Sequence, residues 1–502
     1  MKVKRKKKPR GQGDSFVLTL PLATKSSDER ALGIRLEAAR CVYNAVLGEA
    51  LRRLDLMRQS KAWQRACKMR RGDARRDAFK QLREAFDFSD FSLQSFGTTC
   101  KKACWLDEHL MSHDTQMAAT RAFRAVEQYA YGKRGRPRFR AFGRYRTIEG
   151  KANTVIAHQV LPDGTHLVKY GDLKIPMIVR DKDGLGYEAR ALDCKTKSVR
   201  LVRKVFKGRN LWYVQLVLCG RPPQRRKIGR GIVGLDLGPS ELAAVSASDA
   251  LLIRFCSTVI YLEKEIRLIR RQMDRSRRAC NPHCFDDKGC WIRGQRITHY
   301  SKRYCLLRNR LAEKERCLAA ERNRAHGELS NRILGQGRII HTENISYLSF
   351  QRIYGRSVRR SGPSLFMKKL KDKAERAGGL VFEISTWDTR LSQVCHKTET
   401  YKKKPLWQRF HAFADGSRVQ RDLYSAFLAR FVVRDTSGRD RLSFSQARRV
   451  WARAEPRRRR AEAERQQSAG GLGSPCPAFL ATEVTERIAC KRRRVVSRPG
   501  MM

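Results

Sequence analysis

The spacing of apolar residues in the first quarter of the chain is helical, apart from one strand-like segment at its start. Phe16 to Leu20 form a short apolar run that predicts a strand. Between Asp28 and Leu56, apolar residues recur at mixed three- and four-residue steps, which predicts a long amphipathic helix. Helical spacing continues to about Tyr129. This order predicts a helical bundle inserted after a single strand.

Strand-like segments follow the predicted bundle. They cover residues 154–160, 168–175, 198–206 and 211–218, and the turn from Lys207 to Asn210 joins the last two into a hairpin. The predicted strands therefore form a small β domain that flanks the helical bundle on both sides in sequence.

In the second half of the chain, three acidic residues stand at comparable places in the predicted elements. Asp236 ends the apolar run of GIVGLDLG, and a second apolar run after it completes a buried hairpin. Glu343 ends the predicted strand IIHTE, and Asp422 lies in the first turn of a predicted helix. Each acid taken alone is weak evidence, since Asp236 could equally cap the turn after its strand.

The net charge of the chain indicates which kinds of molecule it can bind. Its 502 residues contain 108 Lys and Arg against 49 acids, a net charge of +59, which favours a polyanionic partner because each neutralised phosphate releases a counterion. A run of about eighteen uncharged apolar residues is missing, so neither a membrane partner nor a signal peptide is expected. The 15 Cys residues are scattered and odd in number, which fits a reducing cytoplasm.

A basic segment lies between the predicted bundle and the β domain. Arginines alternate with aromatic residues there, a pattern typical of nucleic-acid surfaces, where rings stack on bases and guanidinium groups bind phosphate. The alternative is a solvated basic loop without a partner. The candidate nucleic-acid-binding residues are Lys133, Arg134, Arg136, Arg138, Phe139, Arg140 and Tyr145.

Two strand ends and a helix start can converge on one edge of an α/β sheet. Three converging carboxylates repel one another, so the arrangement requires divalent cations. Two Mg²⁺ ions, about 3.5–4 Å apart, can activate a water and stabilise the leaving oxygen of a phosphodiester. Asp236 would then bridge both ions, with Glu343 and Asp422 completing one site each. Order and spacing alone do not show the convergence.

These acids and the segments between them resemble the TnpB family, nucleases of bacterial insertion sequences that are similar to compact type V CRISPR effectors. The resemblance runs from about residue 15 to 435 and rests on GLDLG around Asp236, IIHTENIS around Glu343 and QRDL around Asp422. It implies an α/β plus helical fold, in which an RNase H-like RuvC nuclease domain follows a wedge β domain with an inserted α-helical recognition lobe. It also implies a guide RNA derived from the element end, a double-stranded DNA target and a monomer or homodimer on the RNA, in the bacterial cytoplasm at the nucleoid.

The resemblance, with the changes in composition, sets the expected domains. They are a basic disordered arm (1–14), a wedge strand (15–27), a helical recognition lobe (28–131), the wedge β domain (132–228), the first part of the RuvC nuclease (229–390), a degenerate zinc-ribbon insert (391–418), the second part of the nuclease (419–451) and a basic disordered tail (452–502).

Two features depart from the family pattern. The family has a zinc ribbon, usually with two CxxC pairs, before the third acid, whereas this segment offers Cys395, His396 and His411, with Asp415 as a weaker fourth candidate. Zinc binding by these residues and a metal-free insert held by packing of Leu391, Leu406, Trp407 and Phe413 both remain open. Tyr424 and Ser425 also replace the Asn-Ala that usually follows the third acid.

The preferred hypothesis is therefore an RNA-guided, Mg²⁺-dependent DNA endonuclease of a mobile element, with Asp236, Glu343 and Asp422 as its catalytic triad. One alternative is a nuclease-silent RNA-guided DNA-binding protein. The other is a DNA transposase with strand-transfer activity.

Overall fold

The computed structural model describes residues 14–470, apart from 151–152, 181–183, 207, 224–226 and 406–407. Residues 1–13 of the predicted basic arm, residues 471–502 of the predicted tail, and Leu406 and Trp407 of the insert lie outside the described residues. The chain divides into two compact units between residues 225 and 226.

The N-terminal unit combines helices with two antiparallel sheets. In chain order its elements are β1 (Ser15–Pro21), α1 (Ser26–Gln59), α2 (Lys61–Lys68), α3 (Asp73–Ala85), α4 (Asp90–Lys102), α5 (Ser112–Ala130), β2 (Thr147–Glu149), β3 (Ile156–Val160), β4 (His166–Tyr170), β5 (Leu173–Pro176), α6 (Tyr187–Leu192), β6 (Thr196–Phe206) and β7 (Arg209–Cys219), with a short 3₁₀ helix at Trp105–Glu108.

Strand β1 joins the sheet that forms after the helices. The sheet order is β1-β7-β6-β2, and Phe16 of β1 pairs antiparallel with Leu218 of β7. A second sheet has the order β3-β4-β5, and it corrects the single strand predicted over 168–175. Gly171 turns the chain there at a φ of +59°, a conformation that glycine adopts without a steric penalty.

The C-terminal unit contains the three acids. Its elements are β8 (Ile232–Leu237), β9 (Glu241–Val245), β10 (Ala250–Arg254), α7 (Ile260–Cys280), α8 (Lys302–Gln336), β11 (Ile339–Glu343), α9 (Tyr347–Ser361), α10 (Pro363–Arg376), β12 (Leu380–Ile384), α11 (Thr386–Thr389), β13 (Val394–Cys395), β14 (Thr400–Tyr401), β15 (Phe410–Ala412), β16 (Arg418–Gln420), α12 (Arg421–Ala429), β17 (Val432–Arg434), β18 (Asp440–Leu442) and α13 (Phe444–Gly470), with 3₁₀ helices at Ser257–Val259 and Pro282–Cys284.

The main sheet of this unit is mixed, with the order β10-β9-β8-β11-β12. β8 pairs antiparallel with β9 and parallel with β11, and β11 pairs parallel with β12. Leu235 is opposite Thr342, so the next residues, Asp236 and Glu343, end neighbouring parallel strands at one edge. The predicted mixture of helices with an α/β sheet is confirmed at this coarse level.

Alternating residues of the strands fill two cores, one on each face of the sheet. Ala243 and Val245 of β9 pack in a core that contains residues of α12 and α13. Leu242 and Ala244 pack on the other face with residues of α8 and α10. This two-residue period is what a strand buried on both faces requires.

Helix α12 lies directly on β8 at Gly234. A Cβ built on Gly234 would be 1.9 Å from the carbonyl oxygen of Ala426, so only glycine fits at this contact. Nδ1 of His341 on β11 donates a hydrogen bond to the carbonyl oxygen of Ala429, at 2.9 Å, near the end of the same helix. These two contacts fix the helix that carries Asp422 against the strands that carry the other acids.

The predicted disordered tail does not begin at residue 452. Helix α13 continues to Gly470, and its Ala447 and Ala461 are buried in the core beside α12. Arginine dominates the composition of this segment, and the few small residues that pack, such as Ala461, lie beside exposed arginines such as Arg460. Among the described residues, no helix is long and apolar enough to span a membrane.

We expect Gly234→Ala to destabilise the C-terminal unit. The added methyl group must push α12 away from β8, and such overpacking typically costs about 1–3 kcal/mol or more. Gly335→Ala is the matched control, since a Cβ on exposed Gly335 of α8 meets no atom within 4 Å. Thermal and urea unfolding of the full chain should show a loss for the first variant and none for the second. Equal stability of the two variants would contradict the close contact.

Candidate active site

Asp236, Glu343 and Asp422 line one cavity of about 1280 Å³ in the C-terminal unit. β8 supplies Asp236, β11 supplies Glu343, and the first turn of α12 supplies Asp422. The three acids are far apart in sequence but meet here because β8 and β11 are parallel neighbours and α12 packs on β8. The predicted convergence is therefore present in the fold, while the catalytic role of these residues stays a prediction.

The electrostatics of the cavity reflect this convergence. Burial raises the pKa of Asp236 well above its usual range, and the negative charges of Asp422 and Glu343 raise it further. Arg421 acts in the opposite direction on the pKa of Asp236. Burial also raises the pKa of Glu343 to about 7. A site of this kind stabilises a bound cation, because the cation relieves both the desolvation and the repulsion.

The donor set fits Mg²⁺ in its chemistry. Mg²⁺ prefers oxygen ligands, takes one or two carboxylates from a protein and keeps its remaining positions for water and phosphate oxygens. Asp236, Glu343 and Asp422 supply such carboxylates at one cavity. In the described part of the chain, these three carboxylates do not form a group that could hold a metal ion without rearrangement. Their side chains would therefore have to move for the three acids to bind one ion together.

Gln420 and Glu462 also line this cavity and are not among the site residues predicted from the sequence. Gln420 directly precedes α12 and was read only as part of the motif around Asp422. Glu462 was missed because it lies in the segment assigned to a disordered tail. The signal available from the sequence is the three- and four-residue spacing of Phe444, Ala447 and Trp451, which predicts that a packed helix begins just before that segment.

The insert at residues 391–418 brings His396 and His411 close to the same aromatic rings, but among the described residues its predicted zinc ligands do not form a group that could hold a metal ion. The main-chain nitrogen and Nδ1 of His396 lie 2.9 and 2.7 Å from the hydroxyl oxygen of Tyr424. Nδ1 of His411 contacts the Lys404 ammonium group. Burial, with the charges of Lys404 and Lys397, lowers the pKa of His411 to about 4.

Of the two other candidate ligands, exposed Asp415 forms an ion pair with Lys397 at 2.5 Å. Cys395 is a free, half-buried cysteine on β13. Within the ranges that the structure describes, no three His, Cys, Asp or Glu side chains are arranged to hold a metal ion. The residues of the insert therefore do not fit a zinc site as they stand.

An aromatic cluster instead joins the insert to helices α12 and α13. It consists of His396, His411, Phe413, Tyr424 and Trp451. The rings of His411 and Tyr424 stack at 4.6 Å with an angle of 21°, and the ring of His396 lies 4.6 Å from Trp451. Phe413 contacts Tyr424 edge to face at 5.5 Å. Tyr424 thus links the insert to α12.

The basic loop of the N-terminal unit lines a separate cavity of about 810 Å³. Helix α1 holds the backbone of this loop. The amide of Arg140 donates to Oδ1 of Asn44 at 2.8 Å, and its carbonyl accepts from Nδ2 of Asn44 at 2.9 Å. The amide of Gly143 donates to Oε1 of Glu37 at 2.9 Å. The cavity is lined by residues that include Tyr43, Arg134, Arg136, Arg138, Phe139, Arg140, Arg144 and Arg146.

Two of the predicted nucleic-acid residues are placed differently from the rest. Tyr145 is only 4% exposed, and its hydroxyl oxygen accepts from Arg121 at 3.2 Å, so its ring is unable to stack on a base and the prediction for it is wrong. Lys133 is exposed but does not line the cavity. Phe139 is 61% exposed and lines the cavity among arginines, the arrangement that favours base stacking.

Comparison with known proteins gives limited likenesses. No protein-family model and no curated protein matches the chain. A cryo-EM structure of a Cas12f1–sgRNA–target DNA complex gives a TM-score of 0.47 at 11% identity, covering 86% of this chain and 100% of that chain. A CRISPR-Cas12f ternary complex gives 0.29 at 14% identity, covering 80% and 81%. Both scores are low, so the function has to be argued from the site itself.

We expect the purified protein to hold its insert without zinc. Zinc measured by elemental analysis should be well below one ion per chain, and a zinc-selective chelator should leave the melting temperature unchanged. Tyr424→Phe should instead lower stability by about 1–3 kcal/mol, because it leaves buried His396 without the tyrosine hydroxyl. Cys395→Ser is the control and should be nearly neutral. One zinc per chain, with unfolding on its removal, would overturn this view.

We expect Phe139→Ala to weaken the binding of single-stranded nucleic acid. Base stacking on an aromatic side chain contributes about 1–3 kcal/mol, so the dissociation constant should rise about 5- to 150-fold. Phe142→Ala is the matched control, since Phe142 is 81% exposed in the same loop but does not line the cavity. Fluorescence anisotropy with a labelled oligonucleotide measures both variants. An equal effect of the two variants would show that the cavity has no special role.

Proposed function

We propose that this chain is an RNA-guided DNA endonuclease of a mobile element, with Mg²⁺ as the cofactor of an Asp-Glu-Asp site. The observation that carries the proposal is the meeting of Asp236, Glu343 and Asp422 at one cavity of a strongly basic protein. A buried carboxylate whose pKa is raised further by two neighbouring carboxylates, as for Asp236, has an evident use in binding divalent cations.

Several residues of the cavity have a role in this proposal. Asp236, Glu343 and Asp422 would hold the ions. Bound Mg²⁺ supplies activation of a water and stabilisation of the leaving oxygen. Exposed Lys403 and Arg409 line the same cavity, where they attract and orient the phosphodiester backbone.

The fold supports the nuclease assignment. A five-stranded mixed sheet with the order β10-β9-β8-β11-β12, carrying acids on β8, β11 and α12, is the arrangement expected of an RNase H-like RuvC domain. Guide RNA and DNA as partners rest on the resemblance of the acid motifs and on the arginine cavity in the N-terminal unit. Guide pairing would supply the sequence specificity, while the protein binds heteroduplex shape and backbone.

A nuclease-silent RNA-guided DNA-binding protein is the second candidate. Tyr424, beside Asp422, is tied to the aromatic cluster, and this attachment limits how far the start of α12 can adjust.

We expect protein co-purified with its RNA to cut a plasmid library that carries randomised flanking sequence, only when Mg²⁺ is present. Asp236→Ala should reduce the cutting rate by at least about 100-fold. This exceeds the usual effect of removing a residue that only hydrogen-bonds to a metal ligand, because here the proposed ligand itself is lost. Glu375→Ala, which removes an exposed acid on α10, is the control and should cut normally. Specific binding without cutting would favour the second candidate, and the absence of both would refute guided recognition.

A further inference from the structure

Gln420 links the start of α12 to the carboxylate of Asp422. Its side-chain oxygen accepts from the amide of Leu423 at 2.8 Å and so caps the helix. Its side-chain nitrogen donates to Oδ2 of Asp422 at 3.0 Å. Ser, Thr, Asp and Asn are the usual helix caps, because their short side chains reach the free amides directly. A buried glutamine in this place caps the helix and also has a donor for the neighbouring acid.

Glu462 holds Gln420 from the other side. Oε1 of Glu462 accepts a hydrogen bond from the main-chain amide of Gln420 at 2.8 Å. Glu462 stands on α13 next to Ala461, which is 2% exposed and belongs to the core shared with α12. The position of Glu462 is therefore fixed by packing, although the residue lies 40 positions beyond Asp422 in the chain.

We propose that Glu462 and Gln420 are positioning residues that orient Asp422, so that helix α13 is part of the active site. The inference rests on the proposed metal-dependent function. A carboxylate that binds a metal has to present one oxygen in a defined direction, and a hydrogen bond to its other oxygen sets that direction. Gln420 binds Oδ2 of Asp422, and Oδ1 lies 3.8 Å from Nε of Arg421.

The charge of Glu462 allows a second role, that of a fourth metal ligand, because Glu462 lines the same cavity as the three acids. The two roles differ in what they require. Positioning needs an oxygen that accepts the amide of Gln420, which glutamine can supply as well as glutamate. Direct metal binding needs the negative charge. The contact to the Gln420 amide favours positioning.

The test is a titration of the full-length protein with Mn²⁺, followed by the EPR signal of the free ion, which does not depend on cleavage. Glu462→Ala should weaken Mn²⁺ binding about 10- to 100-fold, the usual effect of losing an outer partner of a metal ligand. Glu462→Gln should bind within about 3-fold of the unmodified protein, because the accepting oxygen remains. Glu464→Ala, on the exposed side of the same helix where Glu464 pairs with Arg460, is the control and should have no effect.

A double-mutant cycle shows whether Glu462 acts through Gln420. In the Gln420→Ala background, Glu462→Ala should weaken Mn²⁺ binding little further, because the link to Asp422 is already lost. Melting curves identify any variant that is unfolded, and Glu462→Gln keeps the test valid if Glu462→Ala does not fold.

The outcomes separate this inference from the proposed function. Equal losses in Glu462→Gln and Glu462→Ala would overturn positioning and make Glu462 a metal ligand. Unchanged Mn²⁺ binding in both would remove any role for Glu462. Normal metal binding by the unmodified protein without DNA cleavage would sink the proposed nuclease while the positioning role stands. If the unmodified protein binds no Mn²⁺ at millimolar concentrations, both proposals fail.

Discussion

The contact between α12 and β8 at Gly234 is the constraint on which the C-terminal unit depends. The helix can approach the strand this closely only because residue 234 has no side chain. Asp236 follows two positions later on the same face of the strand, and Asp422 starts the helix that rests there. The distance between two of the three acids is thus set by backbone packing. The third acid, Glu343, is placed by the parallel pairing of β11 with β8.

Much of this arrangement could be predicted from the sequence, because it depends on local patterns. Apolar runs that end in an acid identified β8 and β11, and helical spacing identified α1 within a few residues of its bounds. The convergence of the acids was a hypothesis that only strand order and helix packing could test. Strand order is a long-range property, and no pattern within one strand specifies which neighbour it takes.

The errors came from segments in which composition hides packing. Helix α13 is dominated by arginine, yet a few buried positions such as Ala461 are enough to hold it on the sheet. Tyr145 was taken for a surface ring because arginines surround it in sequence, whereas its ring is buried and tilted against Tyr43 at 5.7 Å. In both cases average polarity was used where the burial of single residues decides the structure.

Tyr424 belongs both to α12 and to the aromatic cluster of the insert, so local opening of one should disturb the other. Its backbone is part of α12 and its ring is part of the aromatic cluster, so the insert cannot open without loosening the first turn of that helix. The insert and the acid site should therefore exchange their amide hydrogens together, as one cooperative subdomain of intermediate stability. The aromatic packing of Tyr424 therefore couples opening of the insert to opening of the acid site.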